Sequence, residues 1–339
     1  MARFELHEGD KFGLLAIENA YSALPADCEN QLSDGTWVLT RVPVEVQAHW
    51  QGWIGSLRFE KLQTANIVLL RRESSSNPQV LDQRHERLGN HLAEIFYMLQ
   101  LSGVPEYAGA NLLKGSFIHG SPQIRQVSEL EHFKQTKGYT RVPVNVDRLE
   151  QAIRSRAALA GMQSSAPEFR RVIRGLNVLM DGLQQEHGQE RIHQFVRALE
   201  ALILPEAGET KRQFAHRCQT FAQACASTRQ VLEEAFDMRS DTEHLHDWDR
   251  SLQSYRADER ENVALQRTRQ MERLASFAYS RILENGAVQA HFKNEAIQEN
   301  FWRGLDDAAR RATWGDQWDL ATIALVRIFD GWGRAMRGA

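Results

Sequence analysis

An α+β N-terminal region followed by an all-α helical bundle is the fold class this sequence predicts. Three observations carry the expectation. Before Val146, short runs of β-branched and aromatic residues are broken by Gly, Asp, Ser and Pro, as strands and their turns require. After it, apolar residues return every three or four positions, the period of a helix buried on one face. Proline then sits where helices start and stop, at Pro167 and Pro205. The expected division is residues 1–145, an α+β domain of unknown type with a recognition or sensor role, and residues 146–339, the helical domain.

In the first part, residues 36–46 (TWVLTRVPVEV) and 65–70 (ANIVLL) read as strands. Trp37, Trp50 and Trp53 fall together and suit core or hairpin packing. Residues 74–78 (SSSNP) form a loop. Beyond it Leu88, Leu92, Ile95, Phe96 and Leu99 mark a helix over 83–101, with Gly103 as its stop. The pentapeptide Thr-Arg-Val-Pro-Val occurs at 40–44 and again at 140–144. Because the flanks differ, coincidence or two edge strands with similar demands explain the pair better than a duplicated unit.

In the second part, Phe169, Val172, Ile173, Leu176, Leu179, Met180 and Leu183 form one stripe. Ile192, Phe195, Val196, Leu199, Leu202 and Ile203 form the next. Thr210 and Gln213 have capping-box spacing before a helix that buries Phe214, Cys218, Phe221 and Cys225. Ser227 and Gln230 repeat that spacing before Val231, Leu232, Ala235 and Phe236. A longer helix is expected over 258–284, and shorter ones over 296–305 and 318–329. Trp302, Trp314, Trp318 and Trp332 recur at helical spacings and read as core or dimer packing.

Composition narrows the classes. The chain has 339 residues, 42% of them hydrophobic and 25% charged, which calls for a packed core and argues against disorder. A formal net charge of −3 supplies no global attraction to nucleic acid or anionic lipid. Any such binding must come from a local patch. Arg154, Arg156, Arg170, Arg171 and Arg174 are one candidate strip, although a solvated helix face accounts for them as well. Cys28, Cys218 and Cys225 match neither a disulfide framework nor a zinc spacing. The N-terminus lacks the basic-then-apolar order of a signal peptide, and no apolar run reaches membrane-spanning length. A reducing cytoplasm is the expected compartment, with no membrane partner and no cofactor.

One segment stands apart. Residues 236–249 read Phe-Asp-Met-Arg-Ser-Asp-Thr-Glu-His-Leu-His-Asp-Trp-Asp, with titratable side chains crowded just after an apolar stripe. Ser240, Asp241 and Thr242 are poor helix-interior residues. Arg239 and His244 have the spacing R-x4-H, with a polar residue directly after the arginine. The stretches IHQFVRALEALIL (192–204) and TKRQFAHRCQTFAQACA (210–226) precede them. In order and residue type this succession resembles the Apea-like group of the HEPN superfamily. There an F-x-x-A/S-L-E helix, a second capped helix and a Y/F-D-x-R-S…H segment follow one another. Many members place glycine after the histidine. Here Leu245 and His246 follow, which makes His246 a second candidate.

The resemblance implies a HEPN-like helical bundle, a homodimer with paired motifs at a shared cleft, and metal-independent cleavage of RNA by a toxin or anti-phage effector. It implies that His244 is the general base or acid and Arg239 the phosphate anchor, with Ser240, Asp241, Glu243 and His246 in support. The chemistry suits the residue types. Attack by a ribose 2′-OH needs a base titrating near neutrality, and a fixed guanidinium stabilises charge on the phosphorus. The alternative is a non-catalytic nucleotide- or partner-binding dimerisation module, in which the N-terminal region reads a protein partner or trigger. In one unbroken helix five residues turn about 500°, leaving Arg239 and His244 about 140° apart. Either the helix breaks near residues 240–242 or two subunits complete one site. A metal phosphohydrolase would instead use the dyad His246-Asp247, with His216 and Asp306 as outer ligands.

Overall fold

The computed structural model describes residues 4–18, 20–103, 109–131, 133–134 and 142–320. The first nine elements are β1 (Asp10–Ile17), β2 (Glu29–Gln31), β3 (Trp37–Leu39), α1 (His49–Ile54), α2 (Ser56–Gln63), β4 (Ile67–Ser74), α3 (Gln83–Leu101), β5 (Ala110–Ile118) and β6 (Ser121–Leu130). The helices that follow are α4 (Val146–Ser164), α5 (Ala166–Gln184), α6 (Gly188–Ile203), α7 (Thr210–Arg217), α8 (Ala226–Glu243), α9 (Arg260–Glu284), α10 (Gly286–Ala290), α11 (Glu295–Gly304) and α12 (Asp307–Trp314). An antiparallel sheet therefore precedes a mostly helical remainder, as the sequence predicts. No described helix is long and apolar enough to cross a membrane.

The sheet runs β2-β3-β4-β1-β5-β6 with every neighbour antiparallel. Its central strand, DKFGLLAI, is buried at every position, and so is the start of β4. Strands covered on both faces lose the inside-outside alternation and become continuous apolar runs. One face carries Phe12, Leu14, Ala16, Val68, Leu70 and Leu113, with Trp50, Ile54 and Phe59 of α1 and α2 packed against them. The other lies under α3, where a Cβ on Gly13 would stand 3.2 Å from the Leu88 backbone. The β5–β6 turn puts both His119 (φ 54°) and Gly120 (φ 71°) in the left-handed region, a type I′ arrangement that matches strand twist. The Glu8 carboxylate accepts from both turn N–H groups, at 3.0 and 3.1 Å.

Helix α3 has the expected bounds, and Gly103 follows it at φ 84°. Asp82 caps it, accepting from Arg84 N at 3.0 Å, while His85 Nδ1 accepts from Asp82 N at 3.4 Å. Other expectations are corrected. The run 36–46 is extended and paired only over Trp37–Leu39. Trp37 is core, whereas Trp53 points to solvent at 82% exposure. Neither copy of Thr-Arg-Val-Pro-Val makes an edge strand among the described residues. The first lies beyond the end of β3, the second contributes a single bridge from Val144 to Ser22, and Thr140 and Arg141 lie outside the described residues. The cap of α7 is Glu209, without a side-chain bond, and Gln213 instead accepts from Glu206 N at 2.8 Å. Cys225 is exposed and caps α8 in place of Ser227. Trp318 bridges Ala222, and the remainder of the helix expected over 318–329 lies outside the described residues, as does Trp332.

The described chain resolves into two compact units. One comprises Met1–Gln135, Thr140–Leu176 and Ser276–Asn294; the other includes Asn177–Ala275 and Glu295–Ala339. In the first, α4 packs on α3 and is tied to it by Arg156 and Glu94 at 2.8 Å. In the second, α6, α7 and α8 pack together around Phe195, Leu199, Phe214, Leu232, Ala235 and Met238, all fully buried. Trp302 and Trp314 close that core on Phe221.

Candidate functional site

Helix α8 carries most of the predicted site, and it does not break at residues 240–242. It continues to Glu243 despite the poor propensity of Ser240, Asp241 and Thr242. Each of these is held by tertiary or local bonds. Thr242 Oγ1 donates to Met238 O at 2.9 Å, Ser240 O accepts from His244 N at 3.1 Å, and the buried Asp241 carboxylate accepts from the Ser251 hydroxyl. The break comes later. Leu245 N donates to Thr242 O and His246 N to Asp241 O, at 3.1 and 2.8 Å, which is the bond pattern of a Schellman end. The position that glycine usually fills is Leu245, at φ 58° and 94% exposed.

This termination sets the two histidines. His244 is the C-cap just after the last helical residue, Glu243, and His246 is the first residue beyond the left-handed turn, so helical periodicity no longer relates His246 to Arg239. Both imidazoles are exposed, and their centroids lie 6.2 Å apart with ring planes at 41°. Arg239 faces inward. Its Nη1 binds the exposed Glu243, its Nη2 lies 3.4 Å from Glu200 Oε2 on α6, and its Cζ stands 5.8 Å from the Phe236 ring centre. Only 17% of the Arg239 side chain is exposed. Glu243 thus partners Arg239, and Asp241 partners Ser251; among the described residues neither carboxylate is bound to a histidine.

His193 on α6 escaped the sequence reading because it lies within an apolar stripe. Among the described residues its Nδ1 is buried with no hydrogen-bond partner, and so is Arg239 Nε. Burial, then the charges of Arg239 and Arg197, lower its pKa and favour the neutral ring. Cys225 was read as core, yet it sits exposed at the start of α8. Hydrogen bonds with the Ser227 and Thr228 hydroxyls, and one from the Thr228 N–H, bring its thiol down to about 7.

Past His246 the chain turns across the α8 end. Trp248 is fixed there, its indole N–H shared between Thr242 Oγ1 at 2.9 Å and Met238 O at 3.1 Å. Beside it opens a cavity of about 360 Å³. The outer ligands considered for a metal dyad do not gather around His246 and Asp247. Asp306 caps α12 through Ala309 N at 2.8 Å, and His216 pairs with Asp307 at 3.1 Å. No set of three or more His, Cys, Asp or Glu side chains arranged to hold a metal occurs among the described residues.

A Ser-His-Asp arrangement that the sequence does not reveal lies in the first unit. Ser116 Oγ is 3.2 Å from His85 Nε2, and His85 Nδ1 is 3.4 Å from Asp82 Oδ1. Its roles are structural. Ser116 and His85 have no exposure, the hydroxyl donates to Pro78 O at 2.5 Å, and Asp82 receives the buried Lys11 ammonium at 2.7 Å. These groups satisfy one another beneath the start of α3.

Compared with family models, with curated proteins and with solved structures, the chain matches none.

Proposed function

We propose that this protein is a metal-independent RNA endonuclease of the HEPN type, with His244 and His246 as its proton-transfer pair and Arg239 as its phosphate anchor. The observation that carries the reading is the pair of exposed imidazoles 6.2 Å apart at the end of α8. In-line attack of a 2′-oxygen on phosphorus puts the entering and leaving oxygens on opposite sides of the phosphate. Exposed rings whose centres lie 6.2 Å apart can each turn one nitrogen toward one of these two oxygens. One neutral imidazole takes the 2′-OH proton as the O2′–P bond forms. The other, protonated, gives its proton to the departing 5′-oxygen as the P–O5′ bond breaks. The products are a 2′,3′-cyclic phosphate and a 5′-hydroxyl. Arg239 engages the phosphate when Glu243, which is itself exposed, yields its place on the guanidinium.

The remaining features of this reading follow from the resemblance to HEPN proteins. The helical half forms the HEPN-like bundle and pairs with a second copy, the N-terminal region recognises a trigger or partner, and the enzyme serves as a toxin or anti-phage effector. The test is incubation of the full chain with mixed single-stranded and structured RNA in excess EDTA. Fragments ending in 2′,3′-cyclic phosphate are expected; cleavage only with added divalent metal, or fragments ending in 3′-hydroxyl, contradicts the mechanism.

One observation favours a second reading, a non-catalytic HEPN-like nucleotide- or partner-binding dimerisation module. Both terminal nitrogens of Arg239 are engaged, by Glu200 and Glu243, and its guanidinium stands by the Phe236 ring, as in a residue joining α6 to α8. That reading expects RNA or nucleotide binding with no product under any condition.

A further inference from the structure

We infer that the cavity beside Trp248 is a base pocket that selects guanine next to the phosphate cleaved by the histidine pair, an inference that rests on the ribonuclease reading. The cavity begins one residue beyond His246, with Asp247, and its volume of about 360 Å³ lies in the range of small-molecule sites. Trp248 forms one wall and is held rigid by the two bonds of its indole N–H. Leu252 is an apolar lining residue with 1% exposure. An aromatic wall suits the stacking by which proteins hold unpaired RNA bases.

The polar lining chooses among bases. Asp249 is spent on Arg260, 3.2 Å away. The Asp247 and Glu261 carboxylates line the same cavity and have neither an ion pair nor a hydrogen bond among the described residues. Both are exposed to water, and since carboxylates only accept, a ligand that meets them presents donors. Guanine offers two adjacent donors, N1–H and the N2 amino group, which one carboxylate accepts together. Adenine and cytosine present one exocyclic amino group beside a ring acceptor, and uracil one N–H between two carbonyls. The Gln189 amide, also in the lining, has a donor to spare for guanine O6. With two uncompensated negative charges the cavity disfavours phosphate, which leaves the phosphate outside, at the histidines.

Equilibrium dialysis of the full chain against guanosine, adenosine, cytidine, uridine and spermidine tests the assignment. Guanosine should bind at least tenfold more tightly than the other nucleosides. Asp247→Asn with Glu261→Gln should remove at least tenfold of that affinity at unchanged thermal midpoint, and Trp248→Phe should weaken all nucleosides. Equal binding of the four nucleosides, no binding, or guanosine binding unaffected by the paired variant overturns the pocket. Preferential capture of spermidine overturns it too, by marking the cavity as a site for organic cations. The two failures separate cleanly. Guanosine bound without RNA cleavage contradicts the ribonuclease reading and leaves the pocket standing; cleavage indifferent to guanine contradicts the pocket alone.

Discussion

Leu245 occupies a backbone position that costs a leucine but not a glycine. A left-handed φ of 58° brings the Cβ toward the carbonyl oxygen, and at 94% exposure the side chain recovers nothing by packing. Leu245→Gly should therefore stabilise the chain by about 1 kcal/mol in urea unfolding. A loss of stability would mean that the turn is held by a contact of Leu245. The same position separates the two histidines, so glycine there should also loosen their 6.2 Å spacing. Cys225 gives a second test at this scale. With its thiol near 7, it should react with iodoacetamide at neutral pH well before the buried Cys28 and Cys218. Mass mapping of the first alkylated peptide decides this, and first labelling at Cys28 contradicts it. The sequence marks the segment but not these details. The crowding of Arg239, His244 and His246 is legible because titratable residues interrupt an apolar stripe. That Leu245 would turn left-handed, or that Cys225 rather than Ser227 would cap α8, depends on bonds no spacing encodes.

At the scale of elements, the junction of α6 and α8 is the point to test. Arg239 bridges it, with one partner shielded and one in solvent. Glu200→Ala leaves a mostly buried guanidinium short of a charge and should cost about 1–2 kcal/mol. Glu243→Ala removes a solvated i,i+4 pair and should change stability by less than about 0.5 kcal/mol. Urea midpoints check both, and equal costs would mean that Arg239 does not hold the junction. Legibility differs by element for a physical reason. Helix α3 is legible because its apolar stripe faces the sheet and Gly103 marks its end. Strand β1 was missed because it is buried on both faces and shows no alternation. Strands β5 and β6 were missed as well; their pairing comes from the turn at His119 and Gly120 and a bulge at Gly115. The run 36–46 has strand-forming residues, but only three of them find a partner.

For the whole molecule, acid sensitivity has a definite sign. Burial depresses the pKa of His85 in the first unit and of His193 in the second. Each unfolded histidine takes up its proton near the ordinary value of about 6.5, before its folded counterpart does. Their contribution is therefore complete above that pH and is lost as pH falls through the depressed folded values. The thermal midpoint should fall between pH 7 and pH 5, and His193→Asn should flatten part of the decline. A midpoint that rises over this range contradicts the assignment. What relates Arg239, His244 and His246 in space is the way α8 ends, which the R-x4-H spacing alone does not give. The central claim is that His244 and His246 cleave RNA as a pair. Single-turnover cleavage in EDTA by His244→Ala and His246→Ala, each with its thermal midpoint measured, tests it most directly. The account predicts that each variant loses at least about a hundredfold in rate at an unchanged midpoint. Cleavage at the parent rate by either variant, or no cleavage by the parent chain, would contradict it.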